Sequence, residues 1–325
     1  MRILVSGAHG FIGSHLCEHL LQCGHEVVGL ASPWGDIANL HNASSHPAFT
    51  LARCDIADAS TLATLPGYDG AVHAAARVAD WGPWEPLVRT NVVGTRNLID
   101  HAVATGALRF VFISSVSVHR YRGFRNADPR KTPRDQRTLP YARSKILAED
   151  LVLGERRLEG VVVRPGLWPF GPRDRKFPQI IEAVRRGVLP LVGDGNAVLN
   201  TAYVTNLVRG IGLALLRLEA PGRVYVIGDE GIPSWRELFD HLAGLLGVSP
   251  PWLSVPAWLA CGIGSAVEHA YRIAAPGREP PLTSYRAKLM ARDVHFDLSA
   301  AARELGYEPP TSWQVGLDET VRAMA

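Results

Sequence analysis

Three glycines at three-residue spacing, in Gly7-Ala8-His9-Gly10-Phe11-Ile12-Gly13, separate the apolar run Ile3-Leu4-Val5-Ser6 from the amphipathic stretch Ser14-His15-Leu16-Cys17-Glu18-His19-Leu20-Leu21. No other feature constrains the fold so strongly. A strand that turns at once into a helix needs the tight turn that Gly7 makes, and a pyrophosphate can approach the backbone only where Gly10 carries no side chain. Helix then packs closely on strand at Gly13. The amides around Phe11 and Ile12 and the positive end of the helix dipole favour phosphate at this point. With 31 glycines in the chain, the spacing alone would say little. Its place inside the first strand–helix unit makes it a dinucleotide signature.

The rest of the first half repeats that alternation. Strand-like runs at 26–31, 50–53, 71–73, 109–114 and 161–164 are separated by helical patterns at 85–104 and 141–155. Runs such as Phe110-Val111-Phe112-Ile113 and Val161-Val162-Val163 are apolar without alternation, as strands buried on both faces must be. The expected fold class is α/β, a Rossmann doubly wound parallel sheet with a smaller, interwoven C-terminal substrate lobe. Residues 1–165 are expected to form the dinucleotide-binding core. Prolines at 169, 172, 178 and 190 mark a change of texture, and 166–325 are expected to form mainly the substrate lobe. Some of its segments, such as 223–227, return to the sheet; helices are expected at 180–186, 235–246 and 283–291.

At 325 residues and 47% hydrophobic content the chain can bury a large core. A net charge of +3 with scattered Lys and Arg excludes the basic footprint of a nucleic-acid binder. Cys17, Cys23, Cys54 and Cys261 show neither metal-site nor disulfide spacing, so free thiols, a cytoplasmic setting and no metal are expected. The strand-like start Met1-Arg2-Ile3-Leu4 leaves no room for a secretory leader. The apolar tract 252–267, interrupted by Pro256, falls short of a membrane span but suits peripheral contact with a membrane surface.

An acid at the end of the second strand would bind a ribose 2′-hydroxyl, and an Arg there would accommodate a 2′-phosphate. Gly29-Leu30-Ala31-Ser32-Pro33-Trp34 offers neither. Ser32 can hydrogen-bond either form of the ribose, so NAD(P) is the expected cofactor, with NADP slightly favoured by the missing carboxylate. Asp55 and Ile56, after the third strand, are expected to border the adenine.

Tyr141-Ala142-Arg143-Ser144-Lys145 places a phenol and an ammonium one helical turn apart on a common face. The positive charge favours phenolate and makes Tyr141 a usable proton-transfer group, while Lys145 can also hold a nicotinamide ribose. Upstream, a buried strand ends in Ser114-Ser115 at the neighbouring crest, where Ser115 can donate to a substrate oxygen. Alcohol–ketone interconversion by hydride transfer is the chemistry such a constellation serves.

Together with His73-Ala74-Ala75-Ala76, Asn91-Val92-Val93-Gly94-Thr95 and Arg164-Pro165-Gly166, these motifs resemble the extended short-chain dehydrogenase/reductases, in family order and over nearly the whole chain. The resemblance implies that Ala74 and Ala75 line the cofactor cleft, that Pro165 and Gly166 lie near the nicotinamide, and that Asn91 is a structural or proton-relay residue. Nucleotide-sugar epimerases and dehydratases of that family usually carry a diphosphate-gripping Arg where this chain has Leu199; Arg173 or Arg175 could substitute. Trp81 and Trp84 in Asp80-Trp81-Gly82-Pro83-Trp84, with Trp168, suggest apolar pocket walls. These features resemble the 3β-hydroxysteroid dehydrogenase-like branch, although His119-Arg120-Tyr121 departs from its pattern. The expected substrate is therefore a bulky hydrophobic secondary alcohol or ketone, held by Trp81, Trp84, Ser115, Trp168 and Leu199, with nucleotide-sugar chemistry as the alternative. A homodimer is the expected assembly.

Overall fold

The computed structural model describes residues 1–120, 122–135, 139–275 and 278–324. Seven parallel strands form the central sheet: β1 (Arg2–Ser6), β2 (Glu26–Ala31), β3 (Phe49–Arg53), β4 (Gly70–His73), β5 (Arg109–Ile113), β6 (Glu159–Pro165) and β7 (Val224–Ile227). Their order across the sheet is β3-β2-β1-β4-β5-β6-β7. The order reverses at β1, so the loops after β1 and β4 diverge and leave a crevice at the carboxyl edge. β4, β5 and the interior of β6 are buried along their length, which accounts for their unbroken apolar sequences.

Two apolar layers cover the sheet. One contains Leu16, Leu20, Val111, Val161 and Ile211, and the other Leu4, Leu98, Phe110, Phe112 and Val162. The helix Phe11–Gln22 shares the first layer with Val204–Leu216, an element whose apolar stretch the sequence reading did not assign. The expected helix at 85–104 is broken into Trp84–Leu87, a π-helical stretch Val88–Val93, and Gly94–Ala104.

The second half of the chain is stitched into the first. β7 pairs with β6 in register Val224↔Val162 to Ile227↔Pro165. The Tyr307 hydroxyl donates to the Gly228 carbonyl (2.9 Å), and Tyr203 donates to Glu319 (2.5 Å) on the helix Trp313–Met324. A Cβ at Gly316 would fall 2.7 Å from the Tyr203 ring, so that helix lies directly against the short strand Thr201–Tyr203. The apolar tract becomes part of the helix Ala257–Ala274, flanked by the exposed Trp252 and itself exposing Trp258 and Ile273. No helix among the described residues is long and apolar enough to cross a membrane.

Candidate active site

The glycine turn sits at the crevice. Gly7 has φ +70°, and a Cβ there would lie 2.7 Å from the Ala75 backbone; at Gly13 it would lie 2.1 Å from the Gly7 carbonyl oxygen. The helix begins at Phe11 with Gly10 as its N-cap, no side chain capping it and no acid in its first turn. First-turn amides, those of Phe11, Ile12 and Gly13 here, have no intrahelical partner, so this end suits a pyrophosphate. Ser6 holds the facing loop: its carbonyl accepts from the Ala74 amide (3.2 Å) and its hydroxyl from that of Ala75 (3.3 Å).

The same hydroxyl faces Nδ1 of His73 at 2.7 Å, while Nε2 of His73 faces Thr95 at 2.9 Å. Thr95 donates to the Asn91 carbonyl, so it accepts from Nε2–H, and Nδ1 accepts from Ser6. Burial pushes His73 down to about 3, so the ring is a neutral strut between β1, β4 and the helix. Gly166 sits equally close to backbone, since a Cβ there would lie 2.8 Å from the carbonyl oxygens of Asn200 and Thr201; Pro165 ends β6 beside it.

On the adenosine side, Ser32 accepts from the Trp34 amide (3.4 Å). Asp55 is bound to Arg89 (2.6 Å), and Ile56 is packed beneath Gly94. Arg53 was missed from sequence. Its Nη1 donates to the carbonyls of Pro33 (3.0 Å), Gly35 (3.3 Å) and Ser32 (3.5 Å), bringing an arginine to the loop that would face the ribose. The signal was the parallel pairing of β2 with β3, which sets Ala31 beside Arg53.

The helix Pro140–Gly154 starts with proline in its first turn and presents Tyr141, Lys145 and Glu149 at four-residue spacing. The Lys145 ammonium donates to the Ile113 carbonyl (2.8 Å) and stands 4.5 Å from the centre of the Phe112 ring. Burial draws it down to about 7, against a rise from the Glu149 charge. Glu149 receives Arg164 through both oxygens (2.8 and 2.6 Å) and Arg134 (3.2 Å), tying the helix to β6.

Tyr141 lies beside Ser115, whose hydroxyl also accepts from the Ser117 amide (3.1 Å). Burial, and then the neighbouring Tyr285, push the Tyr141 phenol above its ordinary range, while a hydrogen bond from Ser115 opposes the rise. In the protein without ligand the phenol is therefore protonated at neutral pH, and Lys145 does not by itself make it a phenolate.

Asn91 stands in the π-helical stretch with its side chain fully used. It pairs with both backbone groups of Arg77 (2.8 and 3.0 Å) and donates to Ser144 (2.9 Å), which in turn donates to the Tyr141 carbonyl (2.7 Å). It braces the loop after β4 against the helix Pro140–Gly154.

The expected pocket residues divide. Trp81 lines a cleft of about 580 Å³ together with Leu139, Pro140 and Tyr285, whereas Trp84 stacks under Arg143 (4.7 Å) and is not part of that lining. Trp168 and Leu199 are instead core residues. Trp168 packs among Phe170, Phe177, Trp235 and Phe239, and Leu199 has no exposed surface. The segment around Leu199 bridges Pro233 and Val294, which turns its side chain into the main apolar cluster. Arg173 is committed to Glu18 (2.7 Å). His119 is a buried strut between Arg164 and the Pro133 carbonyl; Arg120 reaches the cleft, and Tyr121 lies outside the described residues.

Known proteins match this arrangement. The model of the NAD dependent epimerase/dehydratase family matches residues 3–228. A 2-alkyl-3-oxoalkanoate reductase of Stenotrophomonas maltophilia (strain K279a) is 32% identical over 98% of this chain and 97% of its own length. A 3 beta-hydroxysteroid dehydrogenase/Delta 5-->4-isomerase of Mycobacterium tuberculosis (strain ATCC 25618 / H37Rv) is 31% identical over 98% and 89%. Among solved structures, DesIV, a dTDP-glucose 4,6-dehydratase from Streptomyces venezuelae with NAD and TYD bound, superposes with a TM-score of 0.78 at 28% identity, covering 99% of this chain and 96% of that one. With its dinucleotide turn, its Ser-Tyr-Lys constellation and these relatives, the chain belongs to the NAD dependent epimerase/dehydratase family of extended short-chain dehydrogenase/reductases and is an oxidoreductase.

Proposed function

We propose that the protein interconverts a ketone and a secondary alcohol on a bulky hydrophobic substrate, with Tyr141 moving the proton. The observation that carries this reading is the convergence of Ser115, Tyr141 and Lys145 at the carboxyl edge of β5, beside the cleft walled by Trp81 and Pro140. Bound NAD(P) supplies or takes the hydride at nicotinamide C4. In the reducing direction the carbonyl π bond opens, its carbon gains the hydride, and its oxygen takes the proton of the Tyr141 hydroxyl. Ser115 donates a hydrogen bond to the same oxygen, and Lys145 would hold the ribose hydroxyls of the bound dinucleotide. A phenol held protonated by burial is in the state from which the reducing direction starts.

The names of the relatives, a 2-alkyl-3-oxoalkanoate reductase and a 3 beta-hydroxysteroid dehydrogenase, support a hydrophobic oxo or hydroxy substrate. Arg53 supports NADP, since a guanidinium at the Ser32 loop can meet a 2′-phosphate. The test is a panel of sterols, 3-oxo acyl compounds and nucleotide sugars with each dinucleotide, followed by reduced-nicotinamide absorbance. Tyr141→Phe should lower kcat by ~10²–10⁴-fold while leaving dinucleotide binding nearly intact. Retention of a tenth of wild-type kcat, or efficient turnover of a nucleotide sugar, would overturn the reading. Arg53→Ala should cut NADP affinity about tenfold or more and spare NAD, as loss of a charge-assisted phosphate contact requires. Equal losses for both dinucleotides would remove Arg53 from that role.

A further inference from the structure

The helix Ala257–Ala274 meets the rest of the protein along one narrow stripe. Ala260 and Gly264 are its buried residues, and a Cβ at Gly264 would lie 2.6 Å from the Ser284 backbone nitrogen. One turn further on, Glu268 accepts from the amide and hydroxyl of Ser284 (2.8 and 3.1 Å). Positions 260, 264 and 268 share one side of a helix, so the opposite side faces away from the fold. That side carries Trp258, Gly262, Ala266 and Ile273, with Leu259 and Ile263 beside them. All six are exposed, Trp258 at 76% and Ile273 at 73%. No Asp, Glu, Lys or Arg interrupts this face, and His269 is the one titratable group within it.

A contiguous apolar face of this kind marks a surface that something else covers. The helix is not long and apolar enough to cross a bilayer, but its outward face has the make-up of one that lies in the headgroup–acyl boundary, where a tryptophan buries its ring and keeps its N–H near water. It also needs little ordering on contact. The carbonyls of Leu253 and Val255, just before it, accept from the Leu191 and Gly193 amides (both 2.8 Å), and its inner stripe is anchored at Ser284.

Charge selects the partner. Between 252 and 292 the chain carries five Arg and Lys residues, at 272, 278, 286, 288 and 292, against two acids, Glu268 and Glu279. Both acids are engaged within the protein, Glu268 with Ser284 and Glu279 with Arg286. Arg272, Arg278, Lys288 and Arg292 are exposed, on the helix, just past its end, and on or after its neighbour Ser284–Met290. A second copy packed on this face about a twofold axis would set that cationic border against itself. An anionic lipid surface is attracted by it.

We propose that the face of Ala257–Ala274 built on Trp258 and Ile273 docks the protein peripherally on an anionic lipid surface, with the helix lying in the plane of the headgroups. Glu268 and Arg272 of this helix, with Ser284, Tyr285 and Lys288 of the next segment, line the cleft described above. Docking therefore sets one flank of the cleft at the lipid boundary.

The test floats the full chain with vesicles of phosphatidylcholine containing roughly 30% phosphatidylserine, and with phosphatidylcholine alone. Wild type should bind the anionic vesicles at least about tenfold more strongly than the neutral ones, and the difference should shrink as salt rises. Trp258→Ser/Ile273→Ser and Arg278→Glu/Lys288→Glu should each weaken binding to anionic vesicles at least about tenfold. All four side chains are exposed, so both variants should keep the wild-type circular dichroism and melting curve. No flotation of wild type, equal binding to both vesicles, or unchanged flotation of either folded variant overturns the proposal. So does a wild-type dimer in sedimentation equilibrium that Trp258→Ser/Ile273→Ser turns into a monomer, because the face would then belong to a second copy. Neither substrate nor dinucleotide is present, so the outcome is independent of the ketone–alcohol reading.

Discussion

Replacing Lys145 by methionine should stabilise the ligand-free protein while destroying its activity. The side chain is 2% exposed, and burial lowers its folded pKa from 10.5 to about 7. A base whose folded pKa lies below its unfolded value releases a proton on folding, so wild-type stability rises with pH between about 7 and 10.5. Below that window the ammonium is buried charged, at a cost of roughly 4–5 kcal/mol on the scale of ~1.4 kcal/mol per pKa unit. Methionine removes that cost but forfeits the hydrogen bond to the Ile113 carbonyl and leaves a buried acceptor short, a loss of about 1–3 kcal/mol.

The net expected gain is roughly 1–3 kcal/mol at neutral pH. For 325 residues at ~2.1 cal/mol/K per residue, that corresponds to about 2–4 °C in Tm. By about pH 9 the charge cost has shrunk to roughly 2 kcal/mol, and the advantage should vanish or reverse. Urea unfolding followed by circular dichroism across this range, without dinucleotide, measures the difference. A variant less stable than wild type at neutral pH, or a difference that does not change with pH, would refute the reasoning.

Two further substitutions probe other parts of the site. Gly13→Ala would set a methyl group 2.1 Å from the Gly7 carbonyl oxygen, so dinucleotide affinity should fall at least tenfold by calorimetry; unchanged affinity in a folded variant would move the phosphate site elsewhere. Leu199→Arg buries a charge in the main core and should destabilise by about 3–5 kcal/mol in thermal melts, rather than raising KM in a native-like protein. A wild-type melting curve with raised KM would return Leu199 to the cleft.

What the sequence made legible was local. The glycine turn, the doubly apolar strands and the Tyr141–Lys145 spacing each depend on a few consecutive residues, and each occupies its expected element. Arg53 escaped because its relation to Ser32 exists only across two paired strands. The break in the helix around Asn91 escaped because the pattern of 88–93 remains helical; the irregularity coincides with an amide that must reach both Arg77 and Ser144. Trp168 and Leu199 misled for the opposite reason. Aromatic or apolar residues near a cleft read alike whether they line it or support it from behind, and only packing against Phe177, Trp235 and Phe239 decides. The charged residues that line the cleft, Asp80, Arg120, Glu268, Arg272, Lys288 and Arg292, are spread over a long stretch of chain and form no local charge run.

The stitching of the helix Trp313–Met324 onto Tyr203, and of Tyr307 onto Gly228, bears on how the chain is made. A ribosome delivers the dinucleotide half first, with β6 lacking its neighbour β7 and so presenting an unpaired sheet edge. Tyr203 waits still longer, until the helix Trp313–Met324 that packs on it has left the exit tunnel. A stalled or prematurely ended chain, with that edge unpaired and Tyr203 uncovered, is therefore an aggregation hazard rather than a smaller working enzyme.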